Sequence, residues 1–382
     1  MLDFLTGITA GGYSLFGYII PFLVVVTIVV FFHELGHYLV ARWNKVDIEA
    51  FSIGFGPELI GLNDRSGTRW KLCAVPLGGY VKFVGDANAA SVADHERVQH
   101  MTDEERAGSF EHKRVGQRAA IVAAGPIANF ILAIIIFAGS FYFLGRYETD
   151  PVITEIVADS AAEAANLQTG DIIREIDGTE VESFSDIPRL VAPNHGLEMV
   201  FTVERSGRLV EIPITPRLTE REDRFGNKNK IGIVGIISKP RQEDIRKRNY
   251  SLVQAIASGA DQTWYIVTRT FQYLGGIFIG RESLEQLRGP VGIAEVTGQV
   301  ATLGISALLN LAAVLSVSIG LLNLFPIPIL DGGHLVFYAY EAVFGKPVSA
   351  AAQEMGFRIG FMLLIALMIF ATHNDIVRVL YG

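Results

Sequence analysis

Residues 22–42 read FLVVVTIVVFFHELGHYLVAR, an apolar run that continues into two histidines and a glutamate. The run is part of a longer stretch, residues 4–32, that contains no Asp, Glu, Lys, Arg or His. Because about 20 apolar residues span a bilayer as a helix, we predict a transmembrane helix here. No basic residue precedes the run and no clear small-residue cleavage site follows its core, so we expect the helix to be retained rather than removed as a signal peptide.

Three further stretches lack charged residues and histidine, namely 119–145, 296–330 and 359–372. The first two are long enough to span a bilayer, whereas the last has only 14 residues and on length alone fits a buried helix equally well. Since the side chain of Arg358 can reach toward the membrane surface and lengthen this helix, we predict about four transmembrane helices in all.

Composition agrees with a membrane protein and excludes several other classes. Of the 382 residues, 50% are apolar and 19% are charged, against about 25% charged in soluble domains. Such a chain is too apolar for an ordinary cytosolic enzyme or a disordered protein. The net charge of −8 argues against nucleic-acid binding. The single cysteine, Cys73, excludes an internal disulfide and a multi-cysteine metal site.

Basic residues near the helix ends predict the orientation in the membrane. Arg42 and Lys45 follow the first apolar run, and Lys113, Arg114 and Arg118 precede the second. We therefore expect loop 41–117 on the cytoplasmic side, and the N-terminus and the region after Arg146 outside.

Residues 146–240 have a soluble composition and predict a small α+β domain. Strands are predicted over 152–157, 171–176, 199–205, 209–215 and 231–237, and short helices over 160–167 and 184–191. Asp177-Gly178 and Ser206-Gly207 are turn signals between strands. In the following region, 241–295, residues 251–280 predict an amphipathic helix on the outer membrane surface. The alternative, a fifth span, is disfavoured by Asp261 and Arg269.

The motif His33-Glu34-Leu35-Gly36-His37 predicts a zinc site. On a helix, residues i and i+4 lie on one face, so two imidazoles can bind one zinc ion with Glu34 beside them as general base. Ionisable groups are costly within a membrane and are functional candidates there. Arg42 lies nine residues beyond His33, about 13 Å along a helix, which places the site within the bilayer toward the cytoplasmic face.

A hydrolytic zinc site needs a third protein ligand, and Asp331 is the best candidate. It ends the third apolar run within residues 323–334, NLFPIPILDGGH. Pro326 and Pro328 break the helix before it, which a membrane tolerates only where the segment faces protein or a cavity. Two alternatives remain open: Asp331 caps the next helix, or His334 is the ligand instead.

These motifs resemble the site-2 protease family of intramembrane zinc metalloproteases, and more closely its bacterial RseP-type regulators. Residues 125–129, GPIAN, resemble the second-helix motif of that family. Residues 71–83, KLCAVPLGGYVKF, resemble its membrane-associated β-hairpin, with Gly78-Gly79 at the turn. The matches extend from residue 33 to residue 334 and their order fits throughout.

The resemblance implies roles for individual residues. His33, His37 and Asp331 would hold Zn2+, Glu34 would activate a water molecule, and Asn323 would position the substrate or its developing oxyanion. An edge strand in the hairpin, around the predicted substrate-binding residues Leu77, Gly78, Gly79 and Tyr80, would capture an unwound substrate by β-addition. Asn129 would contact the substrate or, alternatively, only pack helices. A plain cytoplasmic hairpin is the alternative for residues 71–83.

Residues 160–178, SAAEAANLQTGDIIREIDG, resemble a circularly permuted bacterial PDZ domain. Asn166 stands where that pattern usually has glycine, at a helix C-terminus that asparagine also tolerates. Lys230 and the predicted binding residues Ile231, Gly232 and Ile233 would form the loop that takes the C-terminal carboxylate of a peptide; the alternative is an ordinary strand start. Many RseP-type proteins carry two PDZ domains, and this chain has room for one.

Taken together, the sequence predicts a multi-pass α-helical membrane protein with an inserted α+β PDZ-like domain and a membrane-associated β-hairpin. Its parts are a catalytic half (1–145), an external PDZ-like domain (146–240), an interfacial region (241–295) and a second catalytic half (296–382). We expect a zinc endopeptidase of the bacterial inner membrane that cuts single-pass membrane proteins, such as anti-sigma factors or signal-peptide remnants, while the PDZ domain gates access. The alternatives are a non-catalytic membrane-embedded PDZ adaptor and a membrane metalloprotease acting on prenylated tails.

Overall fold

A computed structural model describes residues 15–86, 100–222, 228–284 and 287–381. They form two compact units, each described by itself below. The first lies within residues 1–138, 256–270 and 287–380, and the second is drawn mainly from residues 139–255 and 271–286. The first fourteen residues of the chain, which include the start of the first apolar run, lie outside the described residues.

Helices predominate at the two ends of the described chain, and most strands lie between them. The helices are α1 (Leu15–Trp43), α2 (Asp103–Gly108), α3 (Val115–Leu144), α4 (Ala161–Ala164), α5 (Asp186–Val191), α6 (Leu252–Phe278), α7 (Pro290–Ala301), α8 (Ile305–Asn323), α9 (Asp331–Phe344) and α10 (Ala350–Tyr381). The strands are β1 (Ile48–Asn63), β2 (Arg69–Phe83), β3 (Arg146–Thr149), β4 (Glu155–Ile156), β5 (Ile172–Ile176), β6 (Thr179–Glu180), β7 (Met199–Arg205), β8 (Arg208–Ile214), β9 (Arg217–Glu222), β10 (Lys228–Ile233), β11 (Ile236–Ile237) and β12 (Ile245–Arg248).

Four helices among the described residues, α1, α3, α8 and α10, are long and apolar enough to cross a membrane. This confirms the predicted number. The fourth helix extends well beyond its 14-residue apolar run and includes Arg358. The third predicted span is α8, which covers only part of the apolar run 296–330, because Gly304, with φ of 101°, separates α7 from α8. Residues 251–280 do form a long helix, α6, which is not one of these four.

The sheet of the first unit pairs β1 with β2, and it corrects one prediction. The turn between the strands lies at residues 64–68, not at Gly78-Gly79, which lie inside β2. Residues 50–53 of β1 are flanked by residues 69–72 on one side and by residues 79–82 on the other. Residues 79–83 therefore form an edge of this sheet among the described residues. We call this segment the β2 edge.

Apolar side chains fix the β1–β2 sheet against the long helices of the first unit. Phe51 and Phe83 are buried with Ile121 of α3 in one cluster, and the rings of Phe51 and Trp70 stack with centroids 4.2 Å apart. In a second cluster, Val25 and Val29 of α1 pack on Ala312 of α8. Small residues at such contacts let helices approach closely in a membrane. The histidine end of α1 is thus held between a sheet and other helices.

The second unit has a four-stranded sheet of order β6-β5-β7-β8. Its core contains Ile173, Phe201 and Val203 among other buried apolar residues. Both predicted turns are confirmed: Asp177-Gly178 and Ser206-Gly207 have positive φ at both residues, as two-residue hairpin loops of type I′ require. Asn166 adopts a φ of 59° just after α4, which confirms its predicted role at the helix end.

Some predicted strands and helices of this unit are shorter or divided. Strand 199–205 is confirmed as β7, whereas only Glu155–Ile156 of the predicted strand 152–157 is a strand. The predicted strand 231–237 is divided into β10 and β11, since Gly235 with φ of 86° interrupts it. Strands β3 and β12, which pair with each other, were not predicted.

Candidate active site

The two histidines of α1 lie on one face of the helix, as the i, i+4 spacing predicts. The Nε2 atoms of His33 and His37 are 3.3 Å apart. Both side chains are buried, and so is Glu34 between them in sequence. These groups lie well inside α1, because 17 residues of its membrane-spanning segment, Phe16–Trp43, precede His33 and 10 follow it.

Asp331 reaches the histidines because the chain breaks after α8. Residues 324–330, with Pro326 and Pro328, leave the helical conformation, and α9 begins at Asp331. The carboxylate oxygens lie 3.1 Å from His33 Nε2 and 3.6 Å from His37 Nε2. The N-cap of α9 is Leu330, with no side-chain cap, so the alternative in which Asp331 caps this helix is wrong.

Gly332 and Gly333 allow this close return of the chain. A Cβ at Gly332 would lie 2.3 Å from the carbonyl oxygens of Leu324 and Phe325, and one at Gly333 would lie 2.3 Å from Pro328 Cα. Such distances are far inside van der Waals contact. The Asp-Gly-Gly sequence therefore has a packing reason: only residues without side chains let the start of α9 fold back on the break.

The three side chains fit a zinc ion. Their ligand atoms all lie within 4.8 Å of one another. Zinc bound to nitrogen and oxygen at about 2.0–2.2 Å in a tetrahedron needs ligand atoms about 3.3 Å apart. The two Nε2 atoms are 3.3 Å apart, and one Asp331 oxygen lies 3.1 Å from His33 Nε2 while the other lies 3.6 Å from His37 Nε2. Asp331 Oδ2 is buried and accepts no hydrogen bond from the described residues, as expected of an atom that faces a cation. The two-histidine, one-carboxylate set leaves a fourth position for water or substrate.

His334 belongs to the surroundings of this group rather than to the group itself. Among the described residues, the cluster that could hold a metal consists of His33, His37 and Asp331 only. The ring of His334 lies between aromatic rings instead, with centroids 5.4 Å from Phe357 and 6.4 Å from Tyr338. This geometry favours Asp331 over His334 as the third ligand.

Helix α3 supports the histidines from behind. His37 Nδ1 lies 2.9 Å from the carbonyl oxygen of Ile121, which accepts its proton and leaves Nε2 free to bind metal. Pro126, within α3, lacks a backbone N–H and bends helices where it occurs. Gly125 lies directly against the imidazole, where a Cβ would be 2.3 Å from His37 Nε2. Ile121 is a site residue that the sequence does not predict, whereas Gly125 begins the GPIAN motif, although its contact with His37 is not predicted.

The β2 edge brings backbone groups to Glu34. The Val81 N–H hydrogen-bonds to the Glu34 carboxylate. Gly79 lies so close that a Cβ there would be 2.9 Å from Glu34 Cγ and 2.7 Å from the carbonyl oxygen of Ser52. Because both backbone groups of a strand residue point to the same side, Gly79 and Val81 present theirs away from β1. Val81 is a site residue that sequence reasoning missed, because its own side chain carries no chemical signal.

A cavity of about 380 Å³ opens beside these groups. Its walls include the following predicted site residues: His33, Glu34, His37, Gly78, Gly79, Tyr80, Asn323 and Asp331. Gly78 has a φ of 123°, a conformation that favours glycine. Tyr80 stacks on Phe55 with ring centroids 6.0 Å apart. Leu77 lies next to this wall in β2, although its side chain is not described.

Two predicted binding groups lie elsewhere. Asn129 is fully buried behind His33, and it is not among the described residues that line the cavity. Ile231, Gly232 and Ile233 belong to the second unit and form part of β10, paired with residues 217–219 of β9. The prediction that they form a loop is wrong, because the hairpin pairing extends over them. Their proposed contact with a carboxylate stays a prediction.

Comparison with known proteins agrees with this site. The model of peptidase family M50 matches residues 21–367. A protein named as a zinc metalloprotease from Agrobacterium fabrum is 53% identical over 94% of this chain and 96% of its own length. One of the same description from Rhizobium meliloti is 51% identical, with the same coverage. The metalloprotease MmpA of Caulobacter vibrioides is 41% identical over 94% of this chain and 95% of its own.

Proposed function

The chain belongs to peptidase family M50, the site-2 protease family, and is a zinc metallopeptidase; from this premise we propose that it cuts the transmembrane segments of single-pass membrane proteins inside the bilayer. One observation carries the proposal: His33 and His37 lie within an apolar helix of membrane-spanning length, and the Asp331 carboxylate lies beside them. His33 is about 25 Å along the helix from one end of that span and about 15 Å from the other. A peptide bond that reaches these groups must do so at membrane depth.

The residues of the site suit peptide hydrolysis. Zinc, when bound, lowers the pKa of a bound water toward about 7 and polarises the peptide carbonyl. The Glu34 carboxylate then takes the proton of the attacking water and delivers it to the leaving amide nitrogen. Asn323, in the cavity wall, offers an amide N–H to the oxyanion that develops on the carbonyl.

The β2 edge gives a way to present an unwound substrate. The peptide bonds of a transmembrane helix are enclosed in its own hydrogen bonds, so the helix must open before it is cut. The outward backbone groups of Gly79 and the outward carbonyl of Val81, whose N–H already donates to Glu34, can pair with such an opened segment as an added strand. Since Val81 also contacts Glu34, a strand added at this edge would run past the general base.

We further propose that the enzyme lies in the bacterial inner membrane, with an orientation that the basic residues near its helix ends support. Under this proposal loop 41–117 is cytoplasmic and residues 146–240 are periplasmic, where they act as a PDZ-like size filter. Substrates would be proteins whose outer domain has already been removed, such as trimmed anti-sigma factors or signal-peptide remnants. Family membership and the intact Glu34 favour this reading over the non-catalytic adaptor.

The proposal is tested with purified protein in liposomes and a single-pass substrate. We expect mass spectrometry to locate the cut within the transmembrane segment of the substrate, and we expect Glu34→Gln to abolish it. Cleavage confined to exposed segments, or cleavage of soluble casein at a similar rate, would contradict the proposal.

A second comparison tests the size filter. Two substrates share one transmembrane segment, and only one of them retains a folded outer domain. We expect the wild type to cut the trimmed substrate alone. Phe201→Asp, which puts a charge in the fully buried core of the second unit, should cut both. Equal cleavage of both substrates by the wild type would refute the filter.

A further inference from the structure

Asn129 is the nearest side chain behind His33, and its hydrogen bonding is incomplete. It is fully buried on α3, where its Nδ2 lies 3.3 Å from His33 Nδ1. Its Oδ1 has no hydrogen-bond partner among the described residues. An unpaired buried polar atom costs about 1–3 kcal/mol, so a buried amide at this position calls for an explanation.

The protonation of His33 supplies one. His33 Nε2 faces His37 and Asp331, so it can bind zinc only through its lone pair. A neutral imidazole then carries its proton on Nδ1, next to Asn129. An amide NH2 cannot accept that proton, whereas an amide oxygen can. The structure has the opposite arrangement: the Asn129 Nδ2 lies 3.3 Å from His33 Nδ1, so Nδ1 is the acceptor and Nε2 carries the proton.

Rotation of the amide reconciles the two states. Because Asn129 Oδ1 has no partner, rotating the amide by 180° breaks no hydrogen bond of that oxygen. After the rotation, the NH2 group is the unpaired buried group in place of Oδ1. After rotation, Oδ1 lies where Nδ2 was, within reach of His33 Nδ1. The amide of asparagine is suited to this change, since it presents a donor and an acceptor of nearly the same shape.

The second histidine offers a comparison. His37 Nδ1 donates to the Ile121 carbonyl at 2.9 Å, an acceptor that cannot rotate. Ile121 and Asn129 lie eight residues apart on α3, about two helical turns, and so follow one face of that helix. One helix thus contacts the Nδ1 atoms of both histidines. Outer contacts of this kind fix the tautomer of zinc-ligating histidines and make them stronger ligands.

We infer that Asn129 is a positioning residue of the zinc site, whose Oδ1 accepts the Nδ1–H of His33 when zinc is bound and so fixes Nε2 as the ligand atom. This inference depends on the zinc site but not on where the enzyme cuts, so its test measures zinc affinity rather than proteolysis. Proteolysis could fail in the liposome assay without affecting the result.

The experiment measures zinc affinity of the full chain in detergent by competition with a chelator. Asn129→Leu, similar in size but without an acceptor, should bind zinc about 10–100-fold more weakly. Asn129→Asp, which keeps an oxygen toward His33, should bind zinc at least as tightly as the wild type. If Asn129 acted on His33 only as a hydrogen-bond donor, Asn129→Asp, whose carboxylate cannot donate, would weaken binding.

Ser316→Ala is the matched control. The Ser316 hydroxyl donates to the backbone oxygen of Asn129 at 2.8 Å and is equally buried, but its bond does not involve His33. We expect this variant to melt at a lower temperature and to keep its zinc affinity. Wild-type affinity in Asn129→Leu, or a loss in Asn129→Asp of tenfold or more, would overturn the inference. If the leucine variant does not fold, a loss of tenfold or more in the aspartate variant still overturns the inference.

Discussion

Gly125→Ala is the substitution that tests the support of the zinc site most sharply. The added methyl group would lie 2.3 Å from His37 Nε2, 2.5 Å from Cε1 and 2.9 Å from Cδ2. Carbon and nitrogen atoms in contact are ordinarily about 3.5 Å apart or more. The imidazole must therefore move by about 1 Å, although its Nδ1 is tied to the Ile121 carbonyl.

A shift of this size is large for a metal ligand and small for the fold. Zinc–nitrogen distances are kept to within about 0.2 Å, and a misplacement of about 1 Å in an active site can cost about 100-fold in rate. We expect the zinc affinity of Gly125→Ala to fall by about 100-fold or more. Overpacking costs about 1–3 kcal/mol, which the higher helix propensity of alanine, about 1 kcal/mol, partly offsets.

The assay combines chelator competition for zinc with substrate cleavage in liposomes. Gly139→Ala is the control, because it lies on the same helix and its Cβ would meet no described atom within 4 Å. We expect this control to bind zinc and cut substrate like the wild type. Wild-type zinc affinity in Gly125→Ala would refute the reasoning, since it would show that His37 is not held where the structure has it.

Three further predictions concern the β2 edge, the Asp171–Arg205 pair of the second unit and the bound metal. Gly79→Ala should lower cleavage at least tenfold and leave zinc affinity unchanged, because its Cβ pushes the β2 edge away from Glu34. Gly116→Ala, with open space around it, should change neither cleavage nor zinc affinity. Equal cleavage by the two variants would contradict this prediction. Burial favours a raised pKa for Asp171, but Arg205, at 2.6 Å, and the Gln168 backbone N–H hold its pKa below the usual range. The stability that the Asp171–Arg205 pair contributes is therefore present above about pH 4 and is lost as the pH falls through the lowered pKa of Asp171. Hydrogen exchange of residues 151–237 should become faster at acidic pH in the wild type, and this acid-dependent increase should be absent in Asp171→Asn. Removal of zinc should lower the melting temperature, since a ligand at about 1,000 times its Kd contributes about 4 kcal/mol, and an unchanged melting temperature would argue against a bound ion.

Much of the site could be predicted because its chemistry is local in sequence. The i, i+4 spacing of His33 and His37 on a helix fixes their common face. Asp331 could be proposed as their partner because a carboxylate is costly within a membrane and is therefore a candidate functional group there. The turns at residues 177–178 and 206–207 could be predicted for the same local reason, since two-residue hairpin loops need residues that adopt positive φ.

What could not be predicted depends on contacts between distant segments. The pair Gly78-Gly79 predicts a turn, but in the structure Gly78 adopts a positive φ within β2 and Gly79 lies close to Glu34. Val81 and Ile121 act through backbone atoms, which no residue type reveals. The resemblance predicts that Asn129 either contacts the substrate or only packs helices, and neither alternative indicates its place behind His33, away from the residues that line the cavity.

The central claim is that His33, His37 and Asp331 hold one zinc ion and that Glu34 acts on the water beside it. The most direct measurement determines zinc per chain and substrate cleavage in the same preparations of wild type, Glu34→Gln and Asp331→Ala. The account predicts one zinc with cleavage in the wild type, one zinc without cleavage in Glu34→Gln, and neither in Asp331→Ala. Cleavage that survives Glu34→Gln, or full zinc content in Asp331→Ala, would contradict it.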